Sequence, residues 1–323
     1  MQLSEFALID RYFASQVEAR ADVVLGIGDD CALLRVPVGQ VLAVTVDMLV
    51  AGVHFPADAD PEGIGYKSLA VNLSDLAAMG AMPAWVTLAI ALPKPDASWL
   101  RGFCRGFFQL AERFQVQLVG GDTTRGAMTI SIQAHGFIPE ERALRRDGAR
   151  PGDIVYVTGT LGDAGLALAA ALGRVIIPDM PGAYLQMRLE RPSPRVQQGL
   201  QLRGLASAAI DISDGLAQDL GHILERSGVG ARVDVDRLPY SPAFKACQLD
   251  TSTAIAVALS SGDDYELCFT VPPVHMAQIL ILTQAWDCDC TVIGVIEPQS
   301  GLRCQYQDGR PYPLEKPGYE HFA

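Results

Sequence analysis

Hydrophobic and polar positions along the chain follow two periods, and each period predicts one type of element. Apolar runs bounded by turn residues predict buried strands at 41–49, 84–92, 117–119 and 128–138. Longer segments with helical spacing predict a helix at 61–80, with Asp60 as its N-cap and Pro61 at its first position, and a second helix at 96–114. The first 138 residues are therefore expected to form a mixed α/β unit.

The second half of the chain repeats this alternation after a break. The segment 139–153 (PEERALRRDGARPGD) is charged, contains two prolines and shows no apolar period, so it predicts a domain boundary. Beyond it we expect strands at 153–159, 231–235, 264–270 and 291–296, and helices at 166–172, 214–227 and 274–285. The chain is predicted to form two α/β domains, 1–138 and 150–323, each a mixed sheet packed with helices.

Composition narrows the class of protein. The 323 residues are 49% hydrophobic and carry a net charge of −12, which disfavours a nucleic-acid partner because such a partner requires a basic face. No apolar run approaches the roughly 18 residues of a membrane span, and the N-terminal MQLSEFALIDRYF has acids where a signal peptide would have bases. Seven scattered cysteines fit reduced thiols. We expect a cytoplasmic protein without a membrane partner.

Aspartates recur beside Gly, Ser or Thr at the ends of predicted strands and in the turns that follow. They occur in GIGDD (26–30), TVD (45–47), GGDTT (120–124), DISDGL (211–216) and SGDDYEL (261–267). Each could simply shape its own turn, since a carboxylate accepts local backbone N–H groups. Gathered at one sheet edge, these like charges would repel each other unless multivalent cations lay between them. The pattern predicts a metal site of the kind that triphosphate chemistry uses.

The common nucleotide and nucleophile motifs are missing. The chain has no G-x-x-x-x-G-K-[ST] phosphate loop, no protein-kinase H-R-D or D-F-G and no G-x-S-x-G elbow. Gly26 and Gly28 form only half of a dinucleotide fingerprint, because the third glycine is absent. Cys288 and Cys290 form a C-x-C without a second Cys or His pair at zinc spacing. The aspartates are therefore the main candidates for chemistry.

One aspartate lies on a predicted helix. Within 61–80, Leu69, Leu73 and Leu76 form an apolar stripe. Ser68, Asn72 and Asp75 form a polar stripe beside it. An ordinary solvated helix face explains the polar stripe equally well.

Six motifs, in this order and over nearly the whole chain, resemble the thiamine-monophosphate kinase family: GIGDD (26–30), TVDMLVAGVHF (45–55), NLSDLAAMGA (72–81), GGDTTRG (120–126), DISDGL (211–216) and SGDDYELCFT (261–270). The resemblance implies the two-domain α/β fold of the aminoimidazole ribonucleotide synthetase superfamily. It also implies ATP-dependent phosphorylation of thiamine monophosphate to thiamine diphosphate with several Mg²⁺ ions, as the last step of thiamine diphosphate biosynthesis. A homodimer is implied, with the N-terminal halves meeting through their strands and the active sites in clefts between domains.

The same resemblance assigns roles to domains and residues. Residues 1–138 would bind ATP and metal and form the dimer, and residues 150–323 would complete the cleft. The implied magnesium ligands are Asp30, Thr45, Asp47, Asp75, Asp122, Asp211 and Asp214. The implied ATP contacts are Gly121, Asp122, Arg146 and Ser213, and the implied thiamine contacts are His54, Asp263 and Tyr319. At 263 the family usually has Glu, and it often has Trp near the C-terminus. No catalytic base is implied, because the acceptor is already a phosphate monoester.

Several of these residues have ordinary structural explanations. His54, between Val53 and Phe55, would more often be a core histidine, and Arg146 would more often be a solvated linker charge. Ser213 and Asp214 resemble the N-cap region of the following helix. The turn TLGDAG (160–165) is either a phosphate cradle at a helix start or a plain connection.

Four alternatives to a kinase differ in the sequence features or the activity that each would require. A selenophosphate synthetase would need a reactive Cys or selenocysteine and a Lys near the N-terminus, but the first lysine is Lys67. A hydrogenase-maturation relative would end in cysteine, whereas this chain ends EHFA. Aminoimidazole ribonucleotide synthetase itself would close a ring with ATP and show no turnover on thiamine monophosphate. A non-catalytic metal-binding protein would bind Mg²⁺ or Ca²⁺ and ignore ATP.

Overall fold

The computed structural model describes residues 5–16 and 19–321, with side chains from Leu8 onward. The N-terminal segment and the C-terminal EHFA considered above therefore lie partly outside the described residues. The chain forms two compact units. The N-terminal unit contains the chain up to Leu76 and Ala81–Glu141, and the C-terminal unit contains Ala77–Gly80 and the chain from Arg142. Within the described residues, no helix has the length and apolar character needed to cross a bilayer.

The N-terminal unit is built on a four-stranded mixed sheet. Its elements are α1 (Glu5–Tyr12), a 3₁₀ turn (Ala14–Gln16), β1 (Val23–Leu25), β2 (Leu33–Leu34), β3 (Gln40–Val50), α2 (Pro61–Ala78), β4 (Met82–Leu92), α3 (Ala97–Arg113), β5 (Gln117–Arg125) and β6 (Thr129–Pro139). The strand order is β3-β6-β4-β5, with β4 parallel to β5 and the other pairs antiparallel. Strands β1 and β2 form a separate two-stranded sheet.

The two faces of this sheet differ. On β6, Ile130, Ile132 and Ala134 are buried, and directly opposite them on β3 lie Leu49, Asp47 and Thr45. The other face of β3 is apolar but exposed at Val44, Val46 and Met48. Alternation with period two thus sends Thr45 and Asp47 to the covered face and leaves a row of apolar side chains on the open face.

Helices α2 and α3 approach each other at backbone distance. A Cβ on Gly65 would lie 2.0 Å from the Phe103 carbonyl oxygen, and one on Gly106 would lie 1.8 Å from the Glu62 carbonyl oxygen. Only glycine fits at such a crossing. The buried stripe of α3 includes Leu100, Phe103, Phe107 and Leu110, which are spaced at i, i+3, i+7 and i+10. This crossing sets where α2, and hence Asp75, lies in the unit.

The C-terminal unit is a six-stranded mixed sheet with helices. Its elements are β7 (Ile154–Thr158), α4 (Asp163–Ala171), α5 (Asp179–Glu190), α6 (Val196–Leu202), β8 (Ala208–Asp211), α7 (Leu216–Ser227), β9 (Gly230–Asp234), α8 (Pro242–Ala246), α9 (Thr251–Ser260), β10 (Leu267–Val271), α10 (Met276–Thr283), β11 (Cys290–Glu297) and β12 (Gly301–Gln305), with 3₁₀ turns at Val235–Arg237 and Pro273–His275. The strand order is β12-β9-β11-β7-β10-β8, and only the β12–β9 pair is parallel. Its core includes Val155, Ile210, Leu220, Ile255 and Ile293.

The predicted elements are present with shifted ends. The Asp60 carboxylate accepts from the Glu62 and Gly63 N–H groups, so the predicted cap is confirmed. The Asp96 carboxylate, which had not been predicted as a cap, accepts from the Ser98 and Trp99 N–H groups. Helices α1, α5, α6, α8 and α9 and strands β1, β2, β8 and β12 had not been predicted. Asp47 and Asp122 do not close their strands as predicted but lie inside β3 and β5.

Candidate active site

The covered face of the N-terminal sheet brings three of the predicted metal ligands together. Thr45 and Asp47 are neighbours on one face of β3, and the Thr45 hydroxyl donates to Oδ2 of Asp75 on α2. Burial, together with the charge of Asp75, raises the pKa of Asp47 to about 7. Two carboxylates and a hydroxyl oxygen therefore lie close together where ionisation of both acids is costly. Hard divalent cations take donor sets of this kind.

The polar stripe of α2 is not a solvated face. Ser68 and Asn72 are fully buried, and Asp75 is partly buried. The Ser68 hydroxyl donates to the Gly65 carbonyl, and Nδ2 of Asn72 donates to the Ser68 carbonyl at 3.0 Å. Among the described residues, Oδ1 of Asn72 has no hydrogen-bond partner although it is buried. The explanation of this stripe as an ordinary surface is therefore wrong.

The other predicted residues of the N-terminal unit lie nearer the surface. Asp30 is exposed, and its N–H donates to Oδ1 of Asp29 at 2.8 Å, so Asp29 also shapes its own turn. Asp122 is exposed on β5. Gly121 before it has φ 153°, and a Cβ there would lie 1.8 Å from the Leu88 carbonyl oxygen, so the contact with β4 requires glycine. Among the described residues, no three His, Cys, Asp or Glu side chains are close enough to hold one ion.

His54 is not a core histidine. It lies in the turn after β3, is only partly buried, and its Nδ1 accepts from the Val50 N–H at 3.0 Å. This hydrogen bond fixes the ring close to the end of β3. The expectation of a buried core histidine is wrong, and the predicted contact with thiamine stays a prediction.

In the C-terminal unit, two predicted motifs lie side by side. The Asp263 N–H donates to the Ser213 carbonyl and the Tyr265 N–H to the Ile212 carbonyl, each at 2.8 Å. Asp211 ends β8 and lies opposite Leu267, the first residue of β10. DISDGL and SGDDYEL thus run antiparallel, with Asp263 beside Ser213 and Asp211 opposite Leu267.

Asp214 lies in a mixed electrostatic environment. Burial raises its pKa, and the nearby Asp263 charge adds to this, whereas His321, His222 and a hydrogen bond from Gln218 lower it. The Tyr319 N–H donates to the Asp214 carbonyl at 3.1 Å, and the Gln218 amide donates to the Tyr319 carbonyl at 3.1 Å. The backbone of Tyr319 is therefore held beside Asp214, and its side chain is exposed.

Asp219 is a functional candidate that the sequence reasoning missed. Its Oδ2 accepts from the N–H groups of Ser213, Asp214 and Gly215 at 3.0–3.1 Å. Burial and the Asp214 charge raise the pKa of Asp219 to about 7 despite these hydrogen bonds. The N-cap of α7 is Gly215, without a side-chain cap, so the expectation that Ser213 and Asp214 cap this helix is wrong. An acid in the first turn of the helix was the available signal.

Glu266 of the same motif is the centre of a buried ionic network. Its carboxylate accepts from Nε and Nη2 of Arg195 at 2.6 Å each, from Nη2 of Arg188 at 2.9 Å and from the Thr158 hydroxyl at 2.7 Å. All four side chains are buried. These contacts hold the pKa of Glu266 below its ordinary value although burial acts to raise it. The network ties β10 to β7 and to the segment around α5 and α6.

The turn TLGDAG and Arg146 are the remaining predicted sites in this unit. The Gly162 N–H in the turn TLGDAG donates to both oxygens of the buried Asp264 carboxylate, at 3.1 and 2.9 Å, so an internal acid already occupies the predicted phosphate cradle. The Arg146 side chain is exposed, as a solvated linker charge would be, while its carbonyl accepts from the Ser227 hydroxyl. A role of Arg146 in binding ATP stays a prediction.

Comparison with protein-family models shows the broad class to which this chain belongs. The N-terminal domain model of AIR synthase related proteins matches residues 28–138, and the C-terminal domain model matches residues 150–307. This agrees with the predicted superfamily and with the two mixed α/β units described above. The class is thus that of the AIR synthase related proteins.

Closer relatives define the family. The thiamine-monophosphate kinase of Escherichia coli (strain K12) is 49% identical over 324 positions, covering 100% of this chain and 99% of the relative. The crystal structure of the Stenotrophomonas maltophilia K279a enzyme of the same name superposes with a TM-score of 0.87 at 47% identity, covering 97% of this chain and 99% of that one. AaThiL, solved in complex with AMPPCP and TMP, superposes with a TM-score of 0.77 at 33% identity, covering 99% and 97%. The chain belongs to the thiamine-monophosphate kinase family, and the resemblance found in the six motifs is confirmed.

Proposed function

We propose that this chain transfers the γ-phosphoryl group of ATP to thiamine monophosphate, giving thiamine diphosphate and ADP. The observation that carries this proposal is 49% identity to a thiamine-monophosphate kinase over the whole chain. The complex of AaThiL with AMPPCP and TMP supports ATP and thiamine monophosphate as the two substrates. We place the reaction in the cytoplasm, which fits seven cysteines that are all free thiols.

Mg²⁺ is the cofactor that fits the N-terminal unit. The pair Asp47 and Asp75 with the Thr45 hydroxyl supplies oxygen donors, and burial together with the Asp75 charge raises the pKa of Asp47 to about 7. We assign Asp30, Thr45, Asp47, Asp75 and Asp122 in this unit, and Asp211 and Asp214 in the other, as magnesium ligands. Bound Mg²⁺ would neutralise phosphate charge, the main obstacle when one anionic phosphate attacks another.

The residues of the chain itself mainly bind ATP and thiamine monophosphate and orient them for transfer. The acceptor is a phosphate monoester, largely dianionic at neutral pH, so no side chain must remove a proton. We assign Gly121, Asp122, Arg146 and Ser213 to ATP. We assign His54, Asp263 and Tyr319 to thiamine monophosphate, because a carboxylate and an aromatic face suit a cationic thiazolium ring. Transfer is direct and in line, so trapping a phosphorylated enzyme during turnover would contradict this mechanism.

The activity is tested by supplying ATP and Mg²⁺ with thiamine, thiamine monophosphate or aminoimidazole-pathway substrate, and identifying products by mass. We expect thiamine diphosphate from the monophosphate alone, and loss of turnover on chelation of Mg²⁺. Folded protein that binds ATP but leaves the monophosphate unchanged would contradict the proposal and indicate a different acceptor. Metal binding without any use of ATP would indicate a non-catalytic protein.

We further propose that the N-terminal unit forms a homodimer through the open face of its sheet. Val44, Val46 and Met48 on β3 are 52%, 62% and 57% exposed. A row of large apolar side chains along one strand is costly in water and is typical of a buried subunit interface. This unit, 1–138, would then serve in dimerisation as well as in binding ATP and metal, while 150–323 supplies the remaining contacts.

Val46→Glu should convert the dimer to a monomer, because a charge at the centre of this row would be desolvated in the interface. Size-exclusion chromatography with light scattering gives the mass directly. Val38→Glu is the matched control, since Val38 lies in a turn outside the row and is fully exposed. A monomeric parent protein, or a Val46→Glu variant that stays dimeric, would rule out this interface.

A further inference from the structure

The segment 262–266, here called the recognition segment, carries side chains on two sides. Asp264 and Glu266 are buried, whereas Asp263 and Tyr265 are partly exposed. Asp263 is the residue assigned above to thiamine, and Tyr265 is its neighbour on the same outer side. The inner and outer residues alternate, so whatever fixes the inner pair also fixes the direction of the outer pair.

Both outer residues have left-handed backbone conformations. Asp263 has φ 68° and Tyr265 has φ 50°. Asp tolerates this region, but a bulky residue such as Tyr is uncommon there, and such conformations persist when the surroundings over-determine them. The N–H groups of both residues are held by the carbonyls of Ser213 and Ile212. The left-handed backbone conformations of Asp263 and Tyr265 thus accompany the hydrogen bonds that pair this segment with DISDGL (211–216).

The inner side is anchored by ionic contacts. Asp264 accepts from the Gly162 N–H, and Glu266 accepts from Arg195, Arg188 and Thr158. A Cβ on Gly159 would lie 2.1 Å from Oε1 of Glu266, so the backbone of the preceding turn closes directly on this carboxylate. The recognition segment therefore has little freedom to rotate, and the outer side chains project from a rigid base.

On the outer side, the Tyr265 hydroxyl donates to Oδ1 of Asp263 at 3.2 Å. A hydrogen bond to one of the two oxygens restricts rotation of the carboxyl group. Because the donor is neutral, it orients the carboxylate without cancelling its charge, which an arginine in the same place would do. The Asp263 carboxylate thus gains a defined direction.

Building on the proposed function, we propose that Tyr265 is a positioning residue for substrate recognition: its hydroxyl holds the Asp263 carboxylate in the orientation that receives the cationic ring of thiamine monophosphate. Tyr265 acts through Asp263 rather than on the reacting phosphates. Its removal should therefore affect binding of thiamine monophosphate and leave the use of ATP unchanged.

The test is Tyr265→Phe, which removes only the hydroxyl. We expect KM for thiamine monophosphate to rise about 5- to 20-fold, as for loss of a hydrogen bond to a charged group, while kcat and KM for ATP stay within about twofold. Tyr306→Phe, in the same unit but away from the recognition segment, should leave all three constants unchanged. The thermal midpoint of Tyr265→Phe should match that of the parent protein.

A double-mutant cycle shows whether Tyr265 acts through Asp263. In an Asp263→Asn background, Tyr265→Phe should change KM for thiamine monophosphate by less than about twofold, because the oriented charge is already gone. An equal rise in KM in both backgrounds, or no rise in the single variant, would overturn the inference while the proposed function stands. A parent enzyme that does not phosphorylate thiamine monophosphate would overturn the proposed function, and this inference with it.

Discussion

Asp47→Asn should lower kcat for phosphoryl transfer by about 10²–10³-fold or more while the protein stays folded. The substitution keeps the shape of the side chain but removes a negative charge from the pair that Asp47 forms with Asp75. Turnover measured with saturating ATP, Mg²⁺ and thiamine monophosphate gives the effect. Asp58→Asn, an exposed acid of the same unit, should retain full activity. Near-normal turnover of Asp47→Asn would exclude Asp47 as a metal ligand.

The same variant should change stability in a pH-dependent way. The pKa of Asp47 is raised from 3.8 to about 7, so the folded protein keeps a proton that the unfolded chain has already lost. The stability contributed by this group is therefore complete below about pH 4 and is lost as pH rises through 7. In the presence of a chelator at pH 8, the free energy of unfolding of Asp47→Asn should exceed that of the parent by about 1–3 kcal/mol. This range is reduced from the full pKa shift because the Asp47 side chain is partly solvated.

Thermal unfolding in the presence of a chelator, at pH 8 and at pH 5, shows whether Asp47→Asn is more or less stable than the parent protein. The advantage of Asp47→Asn should shrink at pH 5, where the parent carboxyl is protonated in the folded state. Addition of Mg²⁺ at pH 8 should raise the midpoint of the parent and have little effect on the variant, because a ligand that binds the folded state stabilises it. A variant less stable than the parent at pH 8 without Mg²⁺ would show that Asp47 is not held in an unfavourable ionised state.

Arg195→Met should destabilise the protein by about 3–5 kcal/mol, which is a large part of the stability of an ordinary domain. Arg195 makes two hydrogen bonds of 2.6 Å to Glu266, and both side chains are buried. Methionine fills a similar volume, but it leaves Arg188 as the remaining arginine that pairs with the Glu266 carboxylate. The penalty is chiefly that of a buried charge that has lost its compensation, rather than the net energy of the ion pair.

Urea denaturation of the parent and three variants measures this effect. The denaturation midpoint of Arg195→Lys should lie between those of the parent and Arg195→Met, because lysine keeps the positive charge but cannot form the bidentate hydrogen bonds. Arg310→Met removes an exposed ion pair with Asp308 and should leave the denaturation midpoint unchanged. If Arg195→Met unfolded at the same urea concentration as Arg310→Met, the network would contribute to specificity of structure and not to stability.

Much of the fold could be predicted because the apolar pattern is local. The position of β3 follows from its apolar run, but the prediction that this strand is buried is wrong, because Val44, Val46 and Met48 are exposed on one face. The pattern could not show that Asp122 lies inside a strand, since the apolar run at 117–119 ends before it whereas β5 continues to Arg125. It also could not show that the polar stripe containing Ser68 and Asn72 is buried, because periodicity separates the faces of a helix without stating which is covered.

The site was only partly predictable for a related reason. Asp211, Ser213 and Asp263 could be selected because their motifs resemble those of a family, and backbone pairing places the two motifs side by side, with Asp263 next to Ser213. The partners of Glu266 lie 71 and 78 residues away, on segments whose arginines read as ordinary surface charges. Asp219 was missed because an acid in the first turn of a helix is common and has no distinctive neighbour in sequence.

The position of β10 has a consequence for the order in which the chain acquires its structure during synthesis. This strand lies between β7 and β8 in the sheet, although both precede it in sequence, and it begins directly after Glu266. Until it emerges from the ribosome, Arg188 and Arg195 lack the Glu266 carboxylate, and β7 and β8 lack the strand that pairs with both of them. The sheet of the C-terminal unit can therefore be completed only late in synthesis, after β10 and then β11, which lies between β9 and β7, have emerged.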